Sequence, residues 1–144
     1  MRHGRVAALD VGRARVGVAI CDPDRILATP VGAVARSESV EDTLAAIGHL
    51  LDEFSVTEFV VGLPVNLTGD DTASTQDARM FAESLQNKVT VPVHLIDERL
   101  TTRIAQNKLY AAGRNSRNSK SIVDAAAAVE ILNSFLDQWR LGQA

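Results

Sequence analysis

Hydrophobic periodicity, and the point at which it changes, constrains this chain more than any other feature. Residues 6–10 (Val-Ala-Ala-Leu-Asp) and 16–21 (Val-Gly-Val-Ala-Ile-Cys) are short apolar runs joined by Gly12-Arg-Ala-Arg15. Runs of that length on either side of a four-residue connection read as a β-hairpin. Asp22-Pro-Asp24 marks a second turn, and a third strand is expected over residues 26–34, with Pro30 opposing regular pairing in its middle. Beyond residue 39 the period lengthens. Leu44, Ile47, Leu50, Leu51 and Phe54 follow the helical repeat, with Ser39 as a candidate N-cap and Glu41 and Asp42 in the first turn. A buried strand over 58–63, a loop over 64–71, a helix over 72–88, a strand over 91–96, a short helix over 101–112 and a final helix over 121–139 complete the pattern. The order β-β-β-α-β-α-β-α-α predicts an α/β fold with a mixed five-stranded sheet. Three strands form an antiparallel meander, and parallel strands follow through crossover helices that flank the sheet.

The length of 144 residues, 46% hydrophobic, suits a single domain spanning 1–144. No apolar run approaches the ~20 residues that cross a bilayer, so no membrane association is expected. The first residues lack the uninterrupted apolar core of a signal peptide, and a lone cysteine, Cys21, cannot close an internal disulfide. Both point to the cytoplasm. The net charge of −3 opposes nucleic-acid binding only until its distribution is considered. Residues 1–20 carry Arg2, Arg5, Arg13 and Arg15 against one acid, and residues 99–120 carry six bases and no acid. A chain polarised in this way can present a basic face to a polyanion, although solvated helix faces would look the same.

Three acids stand out. Asp10 ends an apolar strand, where a carboxylate is costly unless paired or bound to metal; Asp-Val-Gly is equally a turn sequence. Asp97 and Glu98 follow an apolar strand, and the carboxyl ends of strands are where open α/β sheets bind ligands. Alternation sends the two to opposite faces, so at most one can share a site with Asp10. The alternative is a loop ion pair with Arg99. Asp124 lies in Ser121-Ile-Val-Asp-Ala-Ala-Ala-Ala, which reads either as a helix capping box or as a carboxylate directed at the sheet by a closely packed helix. Oxygen ligands of this kind suit Mg²⁺ or Mn²⁺, and three carboxylates can seat two such ions about 3.5–4 Å apart. His3, His49 and His94 show no zinc spacing, and neither a Walker loop nor a G-x-G-x-x-G fingerprint occurs.

Four stretches together resemble the YqgF family, also called RuvX, relatives of the RuvC junction resolvases. They are Leu9-Asp-Val-Gly-Arg-Ala-Arg-Val-Gly-Val-Ala19, Val61-Gly-Leu-Pro-Val-Asn66 with Gly69, Asp97-Glu-Arg-Leu-Thr-Thr102 after Val91-Pro-Val, and Ser119-Lys-Ser-Ile-Val-Asp-Ala-Ala-Ala126. The match runs in order over nearly the whole chain. The resemblance implies an RNase H-like fold, an endonuclease role in maturing the 5′ end of 16S ribosomal RNA, and acidic metal ligands at Asp10, Glu98 and Asp124. Where relatives often carry an aromatic in the first motif this chain has Val11, and its loop before the last helix holds only three bases.

On this reading Arg13, Arg15, Arg99, Arg114, Arg117 and Lys120 contact phosphates, which positions a backbone without reading sequence. Asn66 either touches substrate or shapes a turn. Residues 113–119 form a loop that is either a lid over the substrate or a connector. Tyr110 and Trp139 are expected to pack rather than to stack on bases. The expected partners are structured RNA and, as the rival substrate, branched DNA, which a resolvase would cut as a homodimer rather than a monomer. A non-catalytic nucleic-acid-binding module is the competing class, and an actin-like ATPase fragment fails for want of a second phosphate loop.

Overall fold

The structure is a computed structural model that describes residues 3–64, 71–97 and 116–143, with side chains in the last segment described over 124–142. Five strands form one sheet: β1 (Arg5–Val11), β2 (Arg15–Cys21), β3 (Ala28–Ala35), β4 (Val56–Leu63) and β5 (Val93–Asp97), in the order β3-β2-β1-β4-β5. β1 pairs antiparallel with β2, and β2 with β3; β1 pairs parallel with β4, and β4 with β5. The described helices are α1 (Val40–Leu50), α2 (Ala73–Lys88) and α3 (Ser116–Gln143).

Strand alternation sorts the core into two layers. Ala7, Leu9 and Val11 of the middle strand face Leu44 and Ile47 of α1 and Ala78, Phe81 and Leu85 of α2. Val6 and Ala8 face Ala128, Ile131, Leu132 and Leu136 of α3. β1 is therefore buried on both faces, as its uninterrupted apolar run requires, and each large side chain so buried contributes about 1.5–3 kcal/mol. Ser39 caps α1 through the amide of Asp42. Thr72 and Thr75 form a reciprocal capping box on α2, and the buried Thr75 hydroxyl donates to the Pro64 carbonyl at 2.6 Å, tying α2 to the end of β4.

The third strand starts at Ala28, not at residue 26. The Asp22 carboxylate accepts the amides of Ile26 and Leu27 at 2.8 and 2.7 Å, so those donors are spent on a loop and cannot join the ladder. Both side chains are left exposed. Pro30 sits on an edge strand beside an irregularity in the β2–β3 register, which is where a sheet tolerates proline. The last helix starts at Ser116, five residues before the expected 121. Residues 116–119 of the expected loop are therefore helical, since no Gly or Pro interrupts the chain between Gly113 and Gly142. Ser121 is then interior to the helix, and the capping-box reading of Asp124 is withdrawn. The expected helix over 101–112 lies outside the described residues.

The pole reached by the C-terminal ends of β2 and α3 is held by charge. Arg25, almost wholly buried, places Nη2 2.6 Å from Glu58 Oε2, a charge contact without hydrogen-bond alignment, and donates to the carbonyls of Gly4 and His3. Its guanidinium lies over Trp139 at 4.8 Å, and His94 approaches the other Glu58 oxygen at 3.3 Å.

Candidate functional site

Asp10 is the penultimate residue of β1, and the period of two places it on the α3 face with Val6 and Ala8. Its neighbour across the β1–β2 ladder is Gly17. A Cβ at Gly17 would overlap the backbone carbonyl of Asp124, so at this point the backbone of α3 rests directly on β2. One missing methyl thus brings an acid from the last helix beside an acid of the first strand. Burial, and then the charge of Asp124, push the Asp10 carboxyl from the ordinary 3.8 up to about 7.

The two acids are not equivalent. Arg15, at the start of β2, donates from Nε to Asp124 Oδ2 at 2.6 Å. Among the described residues no cation pairs with Asp10. The turn between the two strands is fixed by Arg36, whose Nη1 donates to the Gly12 carbonyl at 3.0 Å and whose backbone amide donates to Ala14 O at 2.8 Å. Arg36 also grips Asp77 of α2 through two nitrogens, at 2.9 and 3.2 Å, above the Phe81 ring. The backbone that follows Asp10 is thereby clamped to α2.

Of the residues anticipated from sequence, Asp10, Asp124 and Arg15 meet here. Arg13 is exposed in the β1–β2 turn at the same end of the sheet. Asp97 ends β5 opposite Leu63, also at that end. Ile96 packs into the α3-side core, so alternation turns Asp97 to the other face, away from Asp10. Arg117 and Lys120 lie in the first turns of α3, with side chains that are not described. Glu98, Asn66, Arg99 and Arg114 lie outside the described residues. Two contributors were not anticipated. Gly17 left a signal, a glycine inside a strand, which often marks close backbone approach. Arg36 left none beyond being a base in an otherwise acidic stretch.

A desolvated carboxylate with no cation among the described residues, beside a second carboxylate, is a donor set that suits a hard divalent ion. Among the described residues no third His, Cys, Asp or Glu completes a cluster of three. Asp10 and Asp124 are thus the part of such a site that can be described.

A mixed sheet in this order, with an acid at the end of its middle strand and another on the helix laid across it, defines the RNase H-like class of folds. Thermus thermophilus RuvC, solved in complex with a Holliday junction substrate, shares that fold with a TM-score of 0.51 at 16% identity, over 92% of this chain and 96% of that one. Residues 4–138 match the RuvX family, described as Holliday junction resolvase, and the chain belongs to that family. A relative from Mycobacteroides abscessus is 46% identical over 96% of this chain and 84% of its own length. One from Mycobacterium leprae (strain Br4923) is 49% identical over 96% and 75%. Both are provisionally named pre-16S rRNA nucleases.

Proposed function

We propose that this protein is a divalent-metal-dependent endonuclease that cleaves phosphodiester bonds in maturing the 5′ end of precursor 16S ribosomal RNA. The observation that carries the reading is the Asp10–Asp124 pair, with one carboxyl raised to about 7 by burial beside the other. Family membership and the names of the relatives support the activity and the substrate.

Asp10, Asp124 and Glu98 would hold Mg²⁺ or Mn²⁺. Glu98 lies outside the described residues and is included because the Asp97-Glu-Arg-Leu-Thr-Thr102 motif of the family implies it. Bound there, such ions activate water for in-line attack and stabilise charge on the leaving oxygen. Asp10 must give up its proton to serve as a ligand, and with its carboxyl raised to about 7 it does so only from near-neutral pH upward. The Arg36 clamp holds Gly12 and Ala14, and so the turn carrying Arg13, at the rim where a phosphate backbone would pass. Arg13, Arg99, Arg114, Arg117 and Lys120 supply the remaining positive charge, with Asn66 from the β4–α2 connection. No described helix is long and apolar enough to cross a membrane, and the proposed setting is the cytoplasm.

The family description favours a second reading, cleavage of four-way DNA junctions. A homodimer and paired nicks would accompany it. The test compares precursor 16S RNA, single-stranded RNA and a four-way DNA junction, each with Mg²⁺ or Mn²⁺, using wild type and Asp10→Asn. Cleavage of the precursor at its 5′ end by wild type alone supports the proposal, and preference for the junction supports the second reading. Equal activity in both proteins means a contaminant or a wrong site, whereas binding without cleavage of any substrate leaves a nucleic-acid-binding module.

A further inference from the structure

Arg15 has a place that a simple phosphate contact would not need. Its Nε lies 2.6 Å from Asp124 Oδ2, so the guanidinium occupies one carboxylate of the pair while Asp10 has no cation among the described residues. The Arg15 side chain is 35% exposed and that of Asp124 20%, so the contact lies at the rim and water reaches it. The backbone beneath is fixed, because Arg15 O accepts the Gly12 amide at 2.8 Å and Gly17 supports the Asp124 carbonyl. Side chains on both sides of the ion pair can therefore exchange partners without the fold moving.

We infer that Arg15 is a positioning residue that exchanges ligands during substrate binding. It neutralises Asp124 in the free protein and moves to a phosphate oxygen when nucleic acid arrives, releasing Asp124 to a divalent cation. The inference rests on the nuclease reading and adds to it an order of events. Three physical points support it. A guanidinium and a divalent ion at the same carboxylate repel each other, so the resident Arg15 opposes metal loading. Arginine pairs with phosphate as readily as with carboxylate, through the same planar fork. The pair is partly solvated, so breaking it is inexpensive. The consequence is coupling: nucleic acid tightens metal binding, and metal tightens nucleic-acid binding by the same factor. The free protein would then carry little metal at its active carboxylates.

The test measures Mn²⁺ binding to the full chain by electron paramagnetic resonance. It is made alone and with a saturating phosphorothioate RNA oligonucleotide that resists cleavage, for wild type, Arg15→Gln and Arg15→Lys. Without RNA, Arg15→Gln should bind Mn²⁺ about tenfold tighter than wild type, since a repelling charge has gone. Arg15→Lys, which keeps the charge, should stay within about threefold of wild type. RNA should tighten Mn²⁺ binding to wild type about fivefold or more, and leave Arg15→Gln nearly unchanged. A purely structural role for Arg15 would instead weaken Mn²⁺ binding in Arg15→Gln. Unchanged or weaker Mn²⁺ binding in that variant, with wild type binding Mn²⁺ normally, overturns the exchange and leaves the nuclease reading standing. No Mn²⁺ binding by any of the three proteins overturns both. Thermal melts of all three in EDTA confirm that folded proteins are being compared.

Discussion

The backbone carbonyl of Asp124 lies where a Cβ on Gly17 would stand. Gly17 is also the ladder partner of Asp10, so one glycine sets the spacing between two acids that are far apart in sequence. Replacing it with alanine must lift α3 from the sheet or shift β2. Gly17→Ala should therefore cost about 1–3 kcal/mol, as overpacking does. The melting temperature should drop by several degrees and Mn²⁺ binding should weaken. A variant that melts and binds as wild type would show that the helix is not seated there.

The raised Asp10 carboxyl predicts a pH dependence of stability in the metal-free protein. In the unfolded chain the group loses its proton near the ordinary 3.8, and in the fold near 7. Between those values the native state binds more protons, so this contribution to stability is complete at low pH and is lost as pH rises from about 4 to about 7. Thermal melts in EDTA across that range should show it as a difference between wild type and Asp10→Asn that grows as pH rises. The variant should be the more stable at pH 8, by up to about 4 kcal/mol, and should match wild type near pH 4.

Metal binding should follow the opposite course. A proton must leave Asp10 before a cation can bind, so Mn²⁺ affinity and cleavage rate should both rise as pH increases through about 7. Asp10→Asn should abolish that rise and lower the rate by more than ~10²-fold. A flat profile in wild type would mean that Asp10 is not a ligand.

At the opposite pole, Arg25 is buried against Glu58 and lies over Trp139. Arg25→Ala leaves an uncompensated carboxylate and an open space beside the indole, so a loss of about 3 kcal/mol is expected. Cleavage per folded molecule should be unchanged, because the cluster touches neither Asp10 nor Asp124. Chemical denaturation read by Trp139 fluorescence, together with the cleavage assay, checks both halves of this expectation.

The sequence alone determined the architecture. Alternation in β1 and β2, the helical period of α1 and α2, and the Ser39 cap are local features, because each depends on residues within a turn or two. Asp10 and Asp124 were legible as candidates because a carboxylate in an apolar run is costly unless it has a partner. What tertiary structure decided was contact. That Ile26 and Leu27 leave the sheet depends on which amides Asp22 accepts, and that Arg36 clamps the turn after Asp10 depends on Asp77, 41 residues further along the chain on α2. Arg15 looked like a free base for phosphate, and only the docking of α3 on Gly17 put Asp124 within its reach. The physical reason is range: periodicity and capping are read from neighbours in the chain, whereas pairing, desolvation and the Asp10 pKa depend on which distant groups packing brings together.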